Sequence, residues 1–429
     1  MNDPFERALG LLEERHLLLS GGAGTGKSHL LREILYYYRK IGRRCAALGS
    51  TGVAAVNVGG QTAHSFFQLG LCKDLSELAL HDKRNRRLKE LYATLHDLHL
   101  IAIDEVSMIG AGLMEMIAYR LRVSGFSGRV IFAGDFYQLP PVEKSMAGQG
   151  NLFAARWAFE SDAWREMNPA LLELTVPHRA EDPVFLRFLD ALRRGRLDNE
   201  GENLLRAYAG QREVLEQNPT HLYGRNKEVD FLNHKRLGEL PTPEVRLEAV
   251  IKAEKGCSDS RLEGFVKALN TPQLLVLKAG APVLFTANKR GVFYNGERGT
   301  VLELDDELVT VGKEDGETVF VERQEFVLAD QGAEKPETLA VFSQFPLRPA
   351  WAVTIHKSQG MGLCPLSVNL DNLFESGQLY VALSRTIDPA RLHLGTRFDP
   401  VAVARRSLRP NEAVDAFYAV QSGANNHLS

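Results

Sequence analysis

Four short apolar runs recur in the first third of the chain and are separated by stretches with helical spacing. They occupy residues 17–19, 45–48, 98–103 and 130–133. The runs are continuously apolar instead of alternating, which is typical of strands that are buried on both faces of a parallel sheet. We therefore predict an α/β domain whose parallel sheet is covered by helices on both faces.

The rest of the chain shows two further sequence patterns. A basic amphipathic helix is predicted after an apolar run at residues 171–174, whereas residues 275–345 contain short, β-branched, alternating strands. Asn295-Gly296 and Asp315-Gly316 are strong turn dipeptides, and the second lies between two alternating strands. We predict a first domain over 1–170, a second over 171–235 and 346–429, and an inserted subdomain with a small β-barrel over 236–345.

The segment GGAGTGKS at residues 21–28 follows the first apolar run and precedes a helical pattern. It fits the phosphate-loop pattern G-x-x-x-x-G-K-[ST] in the required strand, loop and helix context. Its backbone N–H groups would cradle the phosphates, Lys27 would reach the β- and γ-phosphates, and Ser28 would bind Mg²⁺. The loop indicates a nucleoside triphosphatase that uses Mg²⁺, and ATP as the nucleotide is what the family resemblance described below implies. The predicted binding residues are Gly22, Ala23, Gly24, Thr25, Gly26, Lys27, Ser28 and His29.

Two further runs end in residues that hydrolysis requires. The third run ends in Asp104-Glu105, where Asp104 would hold the metal and Glu105 would orient and deprotonate the attacking water. A helix N-cap is the alternative interpretation of such a pair. The fourth run is followed by Gln138, which could hydrogen-bond the γ-phosphate, although the motif alone could be a turn.

Composition restricts the function classes. The 429 residues are 44% hydrophobic and 24% charged, and the net charge is −3, so a nucleic acid would need a local channel and not a broadly cationic surface. The four cysteines form no C-x-x-C pair, which argues against a zinc site or a disulfide framework. The sequence contains neither a secretory leader pattern nor an apolar run long enough for a membrane span, so we expect a cytoplasmic protein without membrane association.

Four strings together resemble the PIF-type (petite integration frequency) DNA helicases of superfamily 1. They are STGVAA at 50–55, GGQTAHSFF at 59–67, IDEVSM at 103–108 and GDFYQLPP at 134–141. The resemblance continues over roughly residues 15–395, and the short stretch 113–130 is similar to compact bacterial-type members. It implies two RecA-like P-loop motor domains, a small wedge insertion at about 66–92 and an SH3-like barrel in the inserted subdomain.

The resemblance also implies roles for individual residues. Arg179 and Arg385 would stabilise charge on the γ-phosphate, while Gln359 and Gly360 would face the nucleotide. The implied DNA-binding residues are Thr51, Gly52, Thr62, His64, Ser65, Phe66, Asn288, Thr354, His356, Lys357 and Ser358. Phe66 would offer a stacking face, with core packing as the alternative, and Phe67 is assigned to the core. The charged run at 83–87 is either a solvated helix face or a phosphate contact.

The implied activity is that of an ATP-dependent DNA helicase that moves 5′ to 3′ on single-stranded DNA. A monomer acting on tailed duplexes in DNA repair or recombination is expected, and G-quadruplexes and telomere maintenance are further possibilities for such a family. A RecD-like subunit of a larger complex and a DNA-stimulated ATPase switch are the alternatives. The family's adenine-reading glutamine is absent from residues 2–6, so adenine specificity stays open.

Overall fold

The computed structural model divides into two compact units. Unit 1 comprises Met1–His178, Asp330–Glu337 and Asn411–Ser429, and unit 2 comprises Arg179–Ala329 and Thr338–Pro410. The structure describes residues 3–51, 54–55, 58, 61–70, 72–83, 88–141, 157–178, 182–254, 257, 259–269, 271–287, 289, 291–330 and 337–425.

Unit 1 is built on a six-stranded parallel sheet. Its strand order is β3-β2-β4-β5-β1-β6. The strands are β1 (Leu17–Gly21), β2 (Cys45–Gly49), β3 (Gln61–Thr62), β4 (Leu100–Asp104), β5 (Arg129–Gly134) and β6 (Ala170–Leu174). All four predicted apolar runs lie in this sheet, which confirms the α/β fold class.

Helices cover both faces of this sheet. They are α1 (Pro4–Glu14), α2 (Lys27–Lys40), α3 (Ala63–Phe66), α4 (Leu75–Asp82), α5 (Leu88–Asp97), α6 (Ala111–Val123) and α7 (Asp162–Met167). Leu17 and Leu19 pack with α1 and α2, whereas Leu18 faces the opposite core with α3 to α7. This division follows from the alternation of side chains along a strand.

The sequence assigned β6 to the second domain, and the structure corrects that boundary. β6 pairs in parallel with β1, from Leu17 with Ala170 to Gly21 with Leu174. An apolar run has the same appearance in either sheet, so its pairing partner was not visible in the sequence.

The base of the predicted wedge is part of the unit 1 core. Leu78 of α4 and Leu91 and Leu95 of α5 are buried in the same cluster as the sheet. Arg120 of α6 is buried and binds both carboxylate oxygens of Asp82 at 2.6 Å. Residues 84–87, which hold most of the charged run, lie outside the described residues.

Unit 2 contains a second parallel sheet with the order β18-β7-β19-β20. The strands of unit 2 are β7 (Thr220–Tyr223), β8 (Val245–Glu248), β9 (Val250–Ala253), β10 (Leu274–Leu277), β11 (Pro282–Phe285), β12 (Arg298–Leu304), β13 (Val309–Lys313), β14 (Thr318–Val321), β15 (Gln324–Asp330), β16 (Glu337–Gln344), β17 (Leu347–Pro349), β18 (Ala352–Thr354), β19 (Leu366–Asn369) and β20 (Leu392–Gly395). Its helices are α8 (Pro183–Arg193), α9 (Asn199–Gly210), α10 (Glu213–Glu216), α11 (Asn226–Glu239), α12 (Asp259–Ala268), α13 (Gln378–Leu383) and α14 (Pro400–Ser407).

The predicted insertion folds into small antiparallel sheets. Its largest has the order β14-β13-β12-β11-β17, and β8 pairs with β10 while β9 joins β15 and β16. Asp315-Gly316 lies in the turn between β13 and β14, as the hairpin signal indicates. This sheet extends to Pro349, past the predicted limit at 345. An SH3-like classification of this part stays a prediction.

The chain ends in α15 (Glu412–Asn425), which belongs to unit 1. The sequence assigned it to the second domain, and the structure corrects this because Val414 and Tyr418 are buried in the unit 1 core. Among the described residues, none of the helices has the length and apolarity needed to cross a membrane.

Candidate active site at the phosphate loop

The phosphate loop connects β1 to α2, and two of its glycines are required by geometry. A Cβ on Gly21 would collide with the carbonyl oxygen of Leu174 in the neighbouring strand. Gly26 is the N-cap of α2 in the left-handed region, with φ of 87°. Only glycine adopts this conformation without a steric cost, and the loop therefore leaves its amides at the positive end of a helix.

Lys27 lies across the loop. Its Nζ donates to the carbonyl oxygens of Gly21 and Gly22, each at 2.8 Å. The Thr25 hydroxyl donates to the same Gly22 oxygen at 2.9 Å. These bonds hold the Lys27 ammonium group over the loop. Phosphate oxygens bound by the loop would replace the two carbonyl oxygens as its hydrogen-bond acceptors.

Ser28 and Asp104 form the predicted metal pair. The Ser28 hydroxyl donates to Asp104 Oδ2 at 3.0 Å, and the Glu105 amide donates to Asp104 Oδ1 at 2.9 Å. Burial raises the pKa of the Asp104 carboxyl, which is 4% exposed, while these hydrogen bonds and the Lys27 charge act in the opposite direction. A hydroxyl beside a carboxylate is an oxygen donor set that suits Mg²⁺.

Glu105 directly follows β4, and Gln138 lies in the turn that follows β5. Glu105 has φ of 56° and ψ of 50°, an uncommon backbone for a residue with a side chain. Such a conformation costs of order 1 kcal/mol and is common at functional sites. Gln138 is buried in this turn, where its backbone N–H donates to the Asp135 carbonyl oxygen at 2.9 Å.

The predicted DNA-binding residues of unit 1 are only partly accessible. Thr51 and Thr62 are half-buried, and their hydroxyl oxygens accept backbone amides at 3.2 and 3.3 Å. Ser65 donates to Gln61 at 3.3 Å, while His64 is exposed. The hydroxyl groups thus hold the local backbone, and His64 is the side chain that faces solvent.

Phe66 does not offer the predicted stacking face. Its side chain is 4% exposed and packs edge-to-face on Phe67, with ring centroids 5.1 Å apart. The core-packing alternative describes both residues. Both rings belong to the buried apolar cluster that also contains Leu48 of β2 and Met114 of α6.

Two of the predicted DNA-binding residues of unit 2, Thr354 and Ser358, are buried. Ser358 is 0% exposed and donates to the Ile355 carbonyl at 2.8 Å, and Thr354 accepts the Lys357 amide at 3.3 Å. These contacts contradict a direct contact of the Ser358 hydroxyl with DNA. His356 Nε2 lies 3.2 Å from a carboxylate oxygen of Glu375.

Lys357 carries an unusual electrostatic environment. Burial lowers the pKa of its ammonium group, and the nearby Arg348 guanidinium lowers it further, while Asp230 raises it. Arg348 is itself buried, and burial lowers its pKa to about 10. Lys357 is nevertheless exposed and lies near the Arg348 cation, and two neighbouring positive charges at an accessible position favour an added anion, which is the chemistry of a phosphate contact.

Arg385 is 2% exposed and is held by its own unit. Its guanidinium donates to Val381 O at 2.9 Å, Ser384 Oγ at 2.9 Å and Ser358 O at 3.4 Å. Gln359 is also buried, and Gly360 follows it with φ of 79°. The structure therefore brings Arg385, Ser358 and Gln359 into one neighbourhood.

The remaining predicted residues separate into two groups. His29 lies in the first turn of α2, where its exposed side chain is 3.4 Å from the Glu33 carboxylate and its backbone amide donates to the Gly26 carbonyl at 3.0 Å. Arg179, Gly52 and Asn288 lie outside the described residues. Ser20 and Tyr418, which the sequence did not single out, meet at the base of the loop, and their separation of 398 positions leaves no signal in the sequence.

The glycine loop, Lys27 and the Ser28–Asp104 pair at the carboxyl edge of a parallel sheet define a P-loop nucleoside triphosphatase. The family model for PIF1-like helicase matches residues 8–202. The ATP-dependent DNA helicase Pif1 of Campylobacter jejuni is 37% identical over 410 residues and covers 91% of both chains. This chain belongs to the PIF1-like helicase family.

Two further relatives agree with this assignment. The ATP-dependent DNA helicase Pif1 of Bdellovibrio bacteriovorus is 35% identical over 397 residues, with 90% of this chain and 86% of the relative covered. The crystal structure of Bacteroides sp Pif1 in complex with ADP-AlF4 superposes with a TM-score of 0.83 at 26% identity, covering 99% of this chain and 98% of that one. The family resemblance stated from the four sequence motifs is confirmed.

Proposed function

We propose that this chain moves 5′ to 3′ along single-stranded DNA and unwinds duplexes that carry a 5′ tail. That it is an ATP-dependent DNA helicase follows from its family. The observation that carries the mechanism is the Ser28–Asp104 contact beside Lys27, because it provides a metal and a triphosphate site at one edge of a sheet. A Bacteroides Pif1 bound to ssDNA, 25% identical over 99% of this chain, supports single-stranded DNA as the track.

The loop residues divide the work of hydrolysis among themselves. Lys27 leaves its carbonyl acceptors and binds the β- and γ-phosphates, while the loop amides hold the remaining oxygens. Ser28 and Asp104 would hold Mg²⁺, which when bound neutralises charge on the phosphates. Glu105 orients and deprotonates the attacking water, and Gln138 hydrogen-bonds the γ-phosphate.

Arg385 and Arg179 stabilise the charge that builds on the transferred phosphoryl group. The bonds of Arg385 to Val381 and Ser384 preorganise its guanidinium, which lowers the cost of orienting it during the reaction. Replacing Arg385 by Lys keeps a cation but loses the fork of donors. We expect kcat for ATP to fall by roughly 10³-fold in R385K. Arg406→Lys, at an exposed site, is the matched control and retains the parental rate.

The DNA contacts are proposed for accessible or anion-favouring side chains. His64 faces solvent, and the exposed Lys357 lies near the Arg348 cation, so each side chain can meet a phosphate. Thr51, Thr62 and the segment around Thr354 hold the protein backbone beside the bound DNA strand. We propose a monomer that acts in the cytoplasm in DNA repair or recombination, with G-quadruplexes among its candidate substrates.

Strand displacement on matched substrates tests the proposal. One fluorescent duplex is prepared with a 5′ tail, one with a 3′ tail and one with blunt ends, and each is mixed with protein, Mg²⁺ and ATP. Unwinding only of the 5′-tailed duplex is expected. Equal unwinding of both tailed duplexes contradicts the polarity, and DNA-stimulated phosphate release without strand displacement indicates an ATPase switch or a subunit that needs a RecD-type complex.

A further inference from the structure

The C-terminal helix α15 brings a tyrosine hydroxyl to the base of the phosphate loop. Tyr418 Oη lies 2.7 Å from Ser20 Oγ in a buried contact, and Ser20 directly precedes Gly21. The Phe136 amide donates to the same Tyr418 oxygen at 3.4 Å. Ser20 is paired with Gly134 in the sheet, so one hydroxyl bridges two neighbouring strands where each turns into its loop.

A second group of contacts holds the loop that contains Gln138. The Tyr137 hydroxyl donates to Asp415 at 2.6 Å, and the Tyr137 ring stacks on Tyr418 with centroids 5.3 Å apart. Phe417 stacks on Phe159 at 4.4 Å and packs edge-on against Phe136. Helix α15 therefore fixes the two residues that stand directly before Gln138.

Packing alone does not account for the hydroxyl. Val414 and Phe417 already cover the apolar face of the sheet, and a phenylalanine at 418 would bury the same ring area. A buried hydroxyl is costly unless it is hydrogen-bonded, and this one is bonded to both strand ends beside the nucleotide loop. The polar contact thus serves the geometry of these loops and not the attachment of the helix.

We propose that Tyr418 is a positioning residue for ATP hydrolysis, which sets the phosphate loop and Gln138 at a fixed spacing through Ser20 and the Phe136 amide. This inference rests on the proposed function of the loop and of Gln138. Because ATP binding depends mainly on Lys27 and the loop amides, the hydroxyl affects turnover more than affinity.

The variant Tyr418→Phe removes the hydroxyl and keeps the stacked ring. We expect kcat of the DNA-stimulated ATPase to fall about three- to tenfold, the effect of one buried hydrogen bond, with KM for ATP changed less than twofold. Tyr36→Phe removes a hydroxyl from an exposed site on α2 and retains parental kinetics. A folded Y418F protein with the parental kcat overturns the proposal.

Ser20→Ala provides an independent variant, and the double variant measures the coupling. S20A should lower kcat in the same direction as Y418F, and S20A/Y418F should lose no more than Y418F alone, because Y418F also removes the contact with the Phe136 amide. Additive losses, or a parental S20A, show that Tyr418 acts only through stability and overturn the proposal.

Hydrogen exchange without nucleotide gives a readout that does not depend on activity. Exchange of the Phe136 and Tyr137 amides should be faster in Y418F than in the parent, while exchange in unit 2 stays unchanged. If the parent shows no DNA-stimulated ATPase, the proposed function fails, and the exchange data still decide whether Tyr418 holds these loops. Unchanged exchange in Y418F overturns the inference.

Discussion

The hydroxyl of Ser28 donates a 3.0 Å hydrogen bond to the carboxylate of Asp104, although the two residues come from a helix start and a strand end far apart in the chain. Ser28 opens α2 directly after the phosphate loop, and Asp104 closes β4. The contact brings two oxygen ligands together beside Lys27, and both residues can turn from each other to a shared cation.

Replacing Ser28 by Ala should weaken the use of Mg²⁺. The variant keeps the fold of the loop but removes one of two oxygen donors, so we expect the Mg²⁺ concentration for half-maximal ATPase to rise roughly tenfold or more. Magnesium titrations of phosphate release at saturating DNA measure this. Ser76→Ala, in an exposed part of α4, serves as the control. An unchanged magnesium curve for S28A would remove Ser28 from the metal site.

Lys27 and Glu105 should separate binding from chemistry. Lys27→Ala removes the charge that faces the triphosphate, and both nucleotide binding and hydrolysis should be lost. Glu105→Gln is isosteric but cannot accept the proton of water, so ATP binding should persist while kcat falls about 10² to 10⁴-fold. Binding of a fluorescent ATP analogue and phosphate release are compared, with Glu33→Gln at an exposed position as control. Parental turnover by E105Q would transfer the role of general base to another group.

The Arg120–Asp82 ion pair should be a major stability element of unit 1. The Arg120 guanidinium is fully buried and also donates to Tyr92 Oη and to the Phe67 carbonyl, each at 3.0 Å. Asp82→Asn leaves this cation buried without its partner, and we expect a loss of about 3 to 5 kcal/mol in the free energy of unfolding. Urea unfolding followed by tryptophan fluorescence measures the change.

A surface pair supplies the control for that experiment. Asp97 binds Arg44 at 2.9 Å, but more than half of each side chain is exposed. Asp97→Asn should therefore cost less than about 1 kcal/mol. Equal losses for D82N and D97N would show that Arg120 finds another partner.

The free energy of unfolding should fall as the pH drops below neutrality, because His16 is neutral in the folded state. Burial, followed by the Arg129 charge, lowers the pKa of His16 to about 4, and His16 Nδ1 accepts the Val130 amide at 3.1 Å. The folded state thus holds the neutral ring, whereas the unfolded chain binds a proton near pH 6.5. The contribution of His16 to the free energy of unfolding is complete above this pH and falls between about pH 6.5 and pH 4. At pH 5 the loss relative to neutral pH is about 2 kcal/mol.

Thermal unfolding at pH 7.5, 6 and 5 tests this dependence. His16→Gln retains a hydrogen-bond acceptor but does not titrate, so its melting temperature should vary less with pH than that of the parent. His29→Gln changes an exposed histidine and should retain the parental slope. A parental slope in H16Q would contradict the role of His16.

The phosphate loop and the strands of unit 1 could be predicted because their signals are local. Gly26 must be glycine for its own backbone conformation, and the apolar runs become strands where they stand in the sequence. The position of β6 depended on pairing with β1, about 150 residues earlier in the chain. Pairing partners are set by tertiary packing, which an apolar run does not specify.

The accessibility of site residues was the other part that the sequence did not show. The family resemblance assigned Phe66 and Ser358 to DNA binding, yet both are buried in their units. A motif fixes which residue types occur in sequence, whereas burial depends on the helices and strands that cover them. Tyr418 is the converse case, since a terminal helix with no motif reaches the base of the loop.

The last residue of the first segment of unit 1 is hydrogen-bonded to the phosphate loop. The His178 amide donates to the carbonyl of Gly24 at 2.8 Å, and residue 179 is the first of unit 2. A rotation of the Gly24 peptide plane would therefore turn the acceptor of this hydrogen bond away from the His178 amide. A single backbone hydrogen bond thus ties the last residue of this segment of unit 1 to the peptide that would cradle the phosphates.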